Sequence, residues 1–218
     1  RDGQVGTLLI DPKDILIQAG ATISSEAISS EAMSGEAIGT ALETNNVVLQ
    51  ADNDITVDDD ITSATANNLT LRAGRSLTLN PNRRISLNGG DFTAIINDQP
   101  VNPGDRDPGM AQFLMESGSE ILTNSGEVSI LSGAFAEESR VNTTDATINT
   151  TQVNGSGNDI TISAINDITT GSLITGLQNP TSPFEQPQTI NSGHITIQSQ
   201  QGNIETTDFI QVEALGEG

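Results

Sequence analysis

Apolar and polar residues alternate in short runs that recur along the chain, each led by a polar residue. The first reads DILIQAG, with Ile15, Ile17 and Ala19 on one face and Leu16 and Gln18 on the other. The same frame returns as NVVLQAD (Val47, Leu49, Ala51), NLTLRAG (Leu69, Leu71, Ala73) and EVSILSG (Val128, Ile130, Ser132). It recurs again as DITISAI (Ile160, Ile162, Ala164) and HITIQSQ (Ile195, Ile197, Ser199). Period-two alternation predicts half-buried β-strands. In all six runs the third inward position is Ala or Ser, small enough for a place where the chain turns a corner.

A second spacing lies on top of the first. Another apolar residue follows eight positions after the lead in most copies: Ile23 after Ile15, Ile55 after Val47, Leu77 after Leu69, Ile168 after Ile160. In the last copy the gap is nine, from Ile195 to Ile204. From Leu69 the step repeats through Leu77 to Ile85, and Phe92 follows after seven. Three short strands in each 22-residue repeat predict an all-β fold, a right-handed parallel β-helix. This is a three-sided solenoid with one strand per side, read as a single segment over residues 1–218.

The remaining gaps between lead positions, 32, 59, 32 and 35 residues, are not multiples of 22 and place insertions near residues 24–46, 97–112 and 178–190. The first carries the echo SSEAI, SSEAM, SGEAI. There Ala37, Ile38, Ala41 and Leu42 sit at helical spacing, so a short helix over 34–43 and a duplicated surface loop are both open. The other two contain NDQPVNPGDRDPGM and QNPTSPFEQPQ, rich in Pro, and read as excursions from the strands. Such loops can carry function on a rigid scaffold, and they are also where a solenoid tolerates insertion.

Composition removes whole classes of function. With 29 Asp+Glu against 8 Lys+Arg the formal net charge is -21. That field repels phosphate polyanions and anionic lipid surfaces, so nucleic acid is not an expected partner, and with no apolar stretch near the ~20 residues of a membrane span neither is membrane insertion expected. Cys is absent and there is 1 His. Disulfide scaffolds, thiolate metal sites, cysteine nucleophiles and multi-histidine centres are therefore excluded.

The acidic run DNDITVDDD (Asp52, Asp54, Asp58, Asp59, Asp60) invites a calcium reading, because hard cations take carboxylate oxygens. It lacks the Gly and terminal Glu of a calcium-binding hand, and the nonapeptide calcium-roll motif is absent. The competing reading uses the repeat: Asp58, Asp59 and Asp60 stack beside residues 80–82 of the next coil, close to Arg83 and Arg84, as a charge-complementary ladder. Carboxylate catalysis on sugars is disfavoured as well. Sugar clefts are usually lined with aromatic platforms, whereas this chain has 5 Phe, no Trp and no Tyr. Phe92, Phe113, Phe135, Phe184 and Phe209 read as core or cap residues. His194 takes the corner slot held elsewhere by Asp14, Asn46, Asn68, Glu127 and Asp159. Catalytic, cofactor-binding and metal residues are accordingly expected to be none, and the protein is not expected to be an enzyme. Asn68, Asn142, Asn149 and Asn154 open N-x-S/T triplets that arise readily in such a composition. Asparagine at corners has its own physical reason, a tolerance of left-handed backbone angles.

GTLLIDPKDILI (6–17), TNNVVLQADNDITV (44–57) and NNLTLRAGRSLTLN (67–80) carry a resemblance. The chain resembles the filamentous-haemagglutinin type of large bacterial exoprotein, passengers of two-partner secretion that are numerous in cyanobacteria. The resemblance is specific through about residue 96; beyond it only DITISAINDITT and HITIQSQQGNIET keep the pattern. It implies a β-helix, export through an outer-membrane β-barrel transporter, an extracellular or cell-surface location, and roles in adhesion, aggregation or contact-dependent competition. It carries over no catalytic residue. The chain is thus expected to be a structural shaft segment of a longer adhesin-like exoprotein, with copies of itself stacking end to end as partners. The alternative is a module whose loops bind a glycan or a cell-surface protein; a polysaccharide lyase-like enzyme is a remote third.

Overall fold

A computed structural model describes residues 6–10, 12–21, 30–136, 138–152, 156–176 and 192–212. The first elements are β1 (Gly6–Ile10), β2 (Asp14–Gln18), β3 (Ser30–Met33), α1 (Gly35–Leu42), β4 (Asn45–Ala51), β5 (Ile55–Asp58) and β6 (Ile61–Thr62). Next come β7 (Leu69–Ala73), β8 (Leu77–Leu79), β9 (Arg84–Ser86), β10 (Phe92–Ile96), β11 (Ala111–Met115), β12 (Glu120–Leu122) and β13 (Val128–Ser132). The last are β14 (Ser139–Asn149), β15 (Ile160–Ala164), β16 (Ile168–Thr175), β17 (Ile195–Ser199), β18 (Ile204–Thr206) and β19 (Ile210–Val212).

All recorded strand pairings are parallel, and the strands form two sheets. The first holds seven strands in the order β1-β4-β7-β10-β13-β15-β17. The second holds twelve, running β3-β2-β5-β8-β11-β14-β12-β9-β6, with β16, β18 and β19 attached through β14 and β16. Each pass of the chain lays one strand in the first sheet and then returns to the second. All six alternating runs are strands, and the first two inward residues of the first five runs, from Ile15 and Ile17 to Ile160 and Ile162, belong to one core cluster, with Ile195 and Ile197 partly buried against it.

The expected three-sided β-helix of constant 22-residue coils is corrected by this topology. Two of the three expected sides are a single sheet. β14 runs unbroken for 11 residues, pairing through 139–142 with β11 and through 147–149 with β12, and β16 crosses the same bend with a register shift between Thr143 and Thr147. The period also fails. Val47 pairs with Leu69 and Leu69 with Phe92, but Phe92 pairs with Val128, Val128 with Ile160 and Ile160 with Ile195. Parallel pairing matches residues by position in the sheet and places no condition on the length between them.

The first run is reassigned too. β2 pairs with β5, not β4, so DILIQ belongs to the second sheet, and GTLLI is the first-sheet strand of that pass. Ala19 is exposed and outside the strand, and Ile23 lies outside the described residues. In the described part of the insertion near 24–46, residues 30–46, β3 pairs with β2, the helix and not the surface loop is realised as α1, and β4 starts at Asn45. Residues 178–190, with Phe184, lie outside the described residues.

Helix α1 forms for local reasons. Ser34 is its N-cap, its Oγ accepting the Ala37 amide at 3.2 Å, and Glu36 sits in the first turn where the helix dipole favours it. Ile38 and Leu42 point into the core. Gly35 and Gly39, one turn apart, let the helix lie against the backbone of the next pass. A β-carbon would come within 2.0 Å of the Asp60 carbonyl oxygen at the first and 2.3 Å of that of Thr62 at the second.

Candidate functional site

The corners joining consecutive strands hold most of the polar chemistry. At the corner preceding the first sheet, each side chain accepts the backbone N–H of its counterpart one pass later. The Asn68 amide donates to Asn46 Oδ1, Asp91 to Asn68 Oδ1 and Glu127 to Asp91 Oδ1, all at 2.9 Å. The ladder restarts where the His194 amide donates to Asp159 Oδ1 at 2.7 Å. His194 is a corner residue, its ring exposed and its Nδ1 3.4 Å from the same carboxylate. The expected corner slot therefore holds for Asn46, Asn68, Glu127, Asp159 and His194. Asp14 belongs instead to the corner between the sheets, where its Oδ1 accepts the Asp54 amide, Asp54 Oδ1 accepts Ser76, and Ser76 Oγ accepts Gln112. Asn82, Asn97 and Asn124 have φ of 59°, 54° and 50°, the left-handed angles expected of corner asparagines.

The acidic run is dispersed by the strand β5 inside it. Asp52, 1% exposed, accepts the Val101 and Asn102 amides and the Asn102 side chain. Asp54 pairs bidentately with Arg75. Asp58 and Asp60 face Arg83 at 3.6 and 3.9 Å, and Asp59 Oδ2 caps α1 by accepting the Gly35 amide at 2.9 Å. The charge ladder expected between Asp58–Asp60 and Arg83–Arg84 is present: the Arg84 amide also donates to Asp60, and its side chain reaches Glu120. Among the described residues no group of three or more His, Asp or Glu is placed to hold a metal ion.

The 97–110 excursion is fastened to three earlier passes. Asp107 takes Lys13 at 3.3 Å and the Asn53 amide group at 3.0 Å, while its own N–H donates to Asn53 Oδ1. Arg106 Nε donates to the Gly74 carbonyl at 2.7 Å, and Arg75 reaches the Pro108 carbonyl. The hydrogen bonds that Arg75 donates to Asp54 hold its guanidinium above the ordinary range against a smaller opposing effect of burial. Burial first, and the neighbouring Arg75 second, push Arg106 down. Both stay cationic at any physiological pH, so this is a permanently charged staple.

Beside it lies a groove of about 450 Å³ lined by Phe135, Glu138, Ile165, Asn166, Gln200 and Gln201 together with Ala134 and Ala136. The sequence reading missed it. Phe92 and Phe113 are core residues as expected, but Phe135 is 38% exposed and Phe209 is exposed as well. The only available signal was that Phe135 sits in AFAEE, a stretch without alternation.

The molecule is thus a mostly parallel, two-sheet β protein with stapled corner loops. No family model, curated protein or solved structure matches the chain.

Proposed function

We propose that the chain is a structural, non-catalytic segment of an exoprotein of the filamentous-haemagglutinin type, extended by adding strands at the open ends of its sheets. One observation carries this reading. The last pass leaves Ile204, Phe209, Ile210 and Val212 between 44% and 50% exposed, in contrast to the buried residues of every described pass through the middle of the stack. Among the described residues, β17 and β18 each pair with a preceding strand only. A strand edge beside exposed apolar side chains is a template for a further strand.

The occupant proposed is a second copy. In a head-to-tail arrangement β17 of one copy meets β1 of the next, an open association that continues into a fibre. Helix α1 lies over β4 and β6 at the opposite end, so copies join through the first sheet and β3 and not through all strands at once. Export through an outer-membrane β-barrel partner and an extracellular or cell-surface location belong to the same reading and rest on the resemblance. The net charge of -21 supports it by keeping an extended β surface soluble. Among the described residues no helix is long and apolar enough to cross a membrane.

Light scattering and negative-stain microscopy over a concentration series test self-association. Wild-type protein is expected to elongate with concentration, and Ile204→Lys with Ile210→Lys to stay monomeric. A wild-type chain that stays monomeric throughout, or a double variant that elongates equally, removes self-stacking.

A further inference from the structure

We propose that the groove between Ala134, Phe135, Ala136 and Glu138 on one side and the 165–166 and 200–201 corners on the other is a binding site for a neutral oligosaccharide. It differs in residues and consequence from the strand edges on which the structural role rests.

The groove is built, and Asn97 builds it. This residue is completely buried at a left-handed φ of 54°. Its Nδ2 donates to the carbonyls of Gly133 at 3.1 Å and Ala136 at 2.9 Å, and its Oδ1 accepts the Ala136 amide at 2.8 Å. Its backbone carbonyl accepts the Phe135 amide at 3.3 Å. The loop carrying the aromatic is therefore held on both sides of Phe135. The Arg106 guanidinium lies 5.4 Å from the Phe135 ring centroid, and Arg106 is itself tied to Gly74, Asp107 and Gly109 carbonyls. A ring fixed in place before the ligand arrives loses little freedom on binding.

The lining sets the ligand class. A ring near a cation and 38% exposed presents an apolar surface of the kind that packs on the C–H face of a pyranose. Around it Gln200 and Gln201 are exposed, and the Asn166 side chain, half-buried, accepts the Ser139 amide through its Oδ1 at 3.0 Å. Amides offer donors and acceptors together, matching hydroxyls that do the same. A peptide strand would instead need free backbone groups. Here the Gln200 and Gln201 amides already donate to the Ala164 and Ile165 carbonyls. Glu138 on the rim and the net charge of -21 disfavour sulfated or uronic chains. The groove's size, about 450 Å³, lies within the range of small-molecule sites.

Saturation-transfer NMR and calorimetry with cellohexaose, maltohexaose and chitohexaose test the proposal on the full chain. At least one is expected to bind. Phe135→Ala should weaken it by about tenfold, the ratio for a lost aromatic contact, and Gln200→Ala with Gln201→Ala should abolish detectable transfer. Because Phe135 is exposed, its truncation leaves the core intact, and an unchanged melting temperature verifies that. Failure of all three sugars to bind, binding indifferent to Phe135→Ala and Gln200→Ala, or preference for a heparin fragment each overturn the proposal. Ile204→Lys and Ile210→Lys are expected to leave sugar binding unchanged, which separates this outcome from that of self-association.

Discussion

Asn97→Ala tests whether one buried asparagine organises the corner beneath the groove. Two costs combine at this position. The left-handed backbone, φ 54°, is tolerated by Asn and costs an alanine about 1 kcal/mol. The side chain also makes three hydrogen bonds, to Gly133, Ala136 and back from Ala136. At about 1 kcal/mol net each, and with Gly133 and Ala136 only half-buried so that water replaces part of the loss, they contribute about 2–3 kcal/mol. The sum for Asn97→Ala is about 3–4 kcal/mol. Asn97→Gly isolates the hydrogen bonds, since glycine takes the left-handed angle without strain; it should cost about 2–3 kcal/mol. Asn97→Asp keeps the acceptor for the Ala136 amide and loses both donors, falling at or below the glycine variant. Urea titration followed by far-UV circular dichroism gives the order, and hydrogen exchange at the Ala136 amide locates it. Equal costs for Ala and Gly would refute the strain argument. Costs within about 0.5 kcal/mol of wild type, the level of an ordinary surface change, would refute the hydrogen-bond argument.

Gly39→Ala should destabilise the protein despite the helical preference for alanine, because the new β-carbon meets the Thr62 carbonyl at 2.3 Å and α1 must shift; a raised melting temperature would contradict this packing. Asp54→Ala should cost about 2–3 kcal/mol, since it frees half-buried Arg75 and the Ser76 amide together. Glu120→Ala removes a partly exposed partner of Arg84 and should cost no more than about 1 kcal/mol, a difference that shrinks further in high salt; chemical denaturation at two ionic strengths checks both. Phe113→Ala, at a fully buried position between Leu77 and Val141, should cost about 3–5 kcal/mol, measured by the same titration.

What was legible in the sequence follows from what alternation can encode. Period two reports that a segment is a strand and which side is buried, so every alternating run became a strand. It does not report which sheet the strand joins. DILIQ and NVVLQ alternate alike, yet the first lies beside ITVD and the second beside LTLRA, and only the neighbour decides. The merging of two expected sides into one sheet was equally silent. SRVNTTDATIN keeps alternating through the bend, and Asp145 at φ 58° marks where the strand turns without ending. The corner ladders were legible because they need only a short polar residue ahead of each strand. Asn97 was not. Nothing in IINDQP distinguishes an asparagine that holds a loop of the following pass from one that caps its own strand.

The uneven passes bear on how such a chain accommodates added loops. Its ladders fix the corner residue and the strand, and nothing between them. Phe92 follows Leu69 by 23 residues but pairs with Val128 after 36, with the strand registers kept on both sides. Lengthening a loop by that amount costs only about 0.4 kcal/mol in closure entropy. The 97–110 excursion offsets that cost many times over by burying the Asp52 carboxylate under its own amides and seating Arg106 on Gly74. The loop thereby becomes part of the wall on which Phe135 rests. A surface feature can be added at one corner without disturbing the next, provided that the residue before each following strand still receives its hydrogen bond.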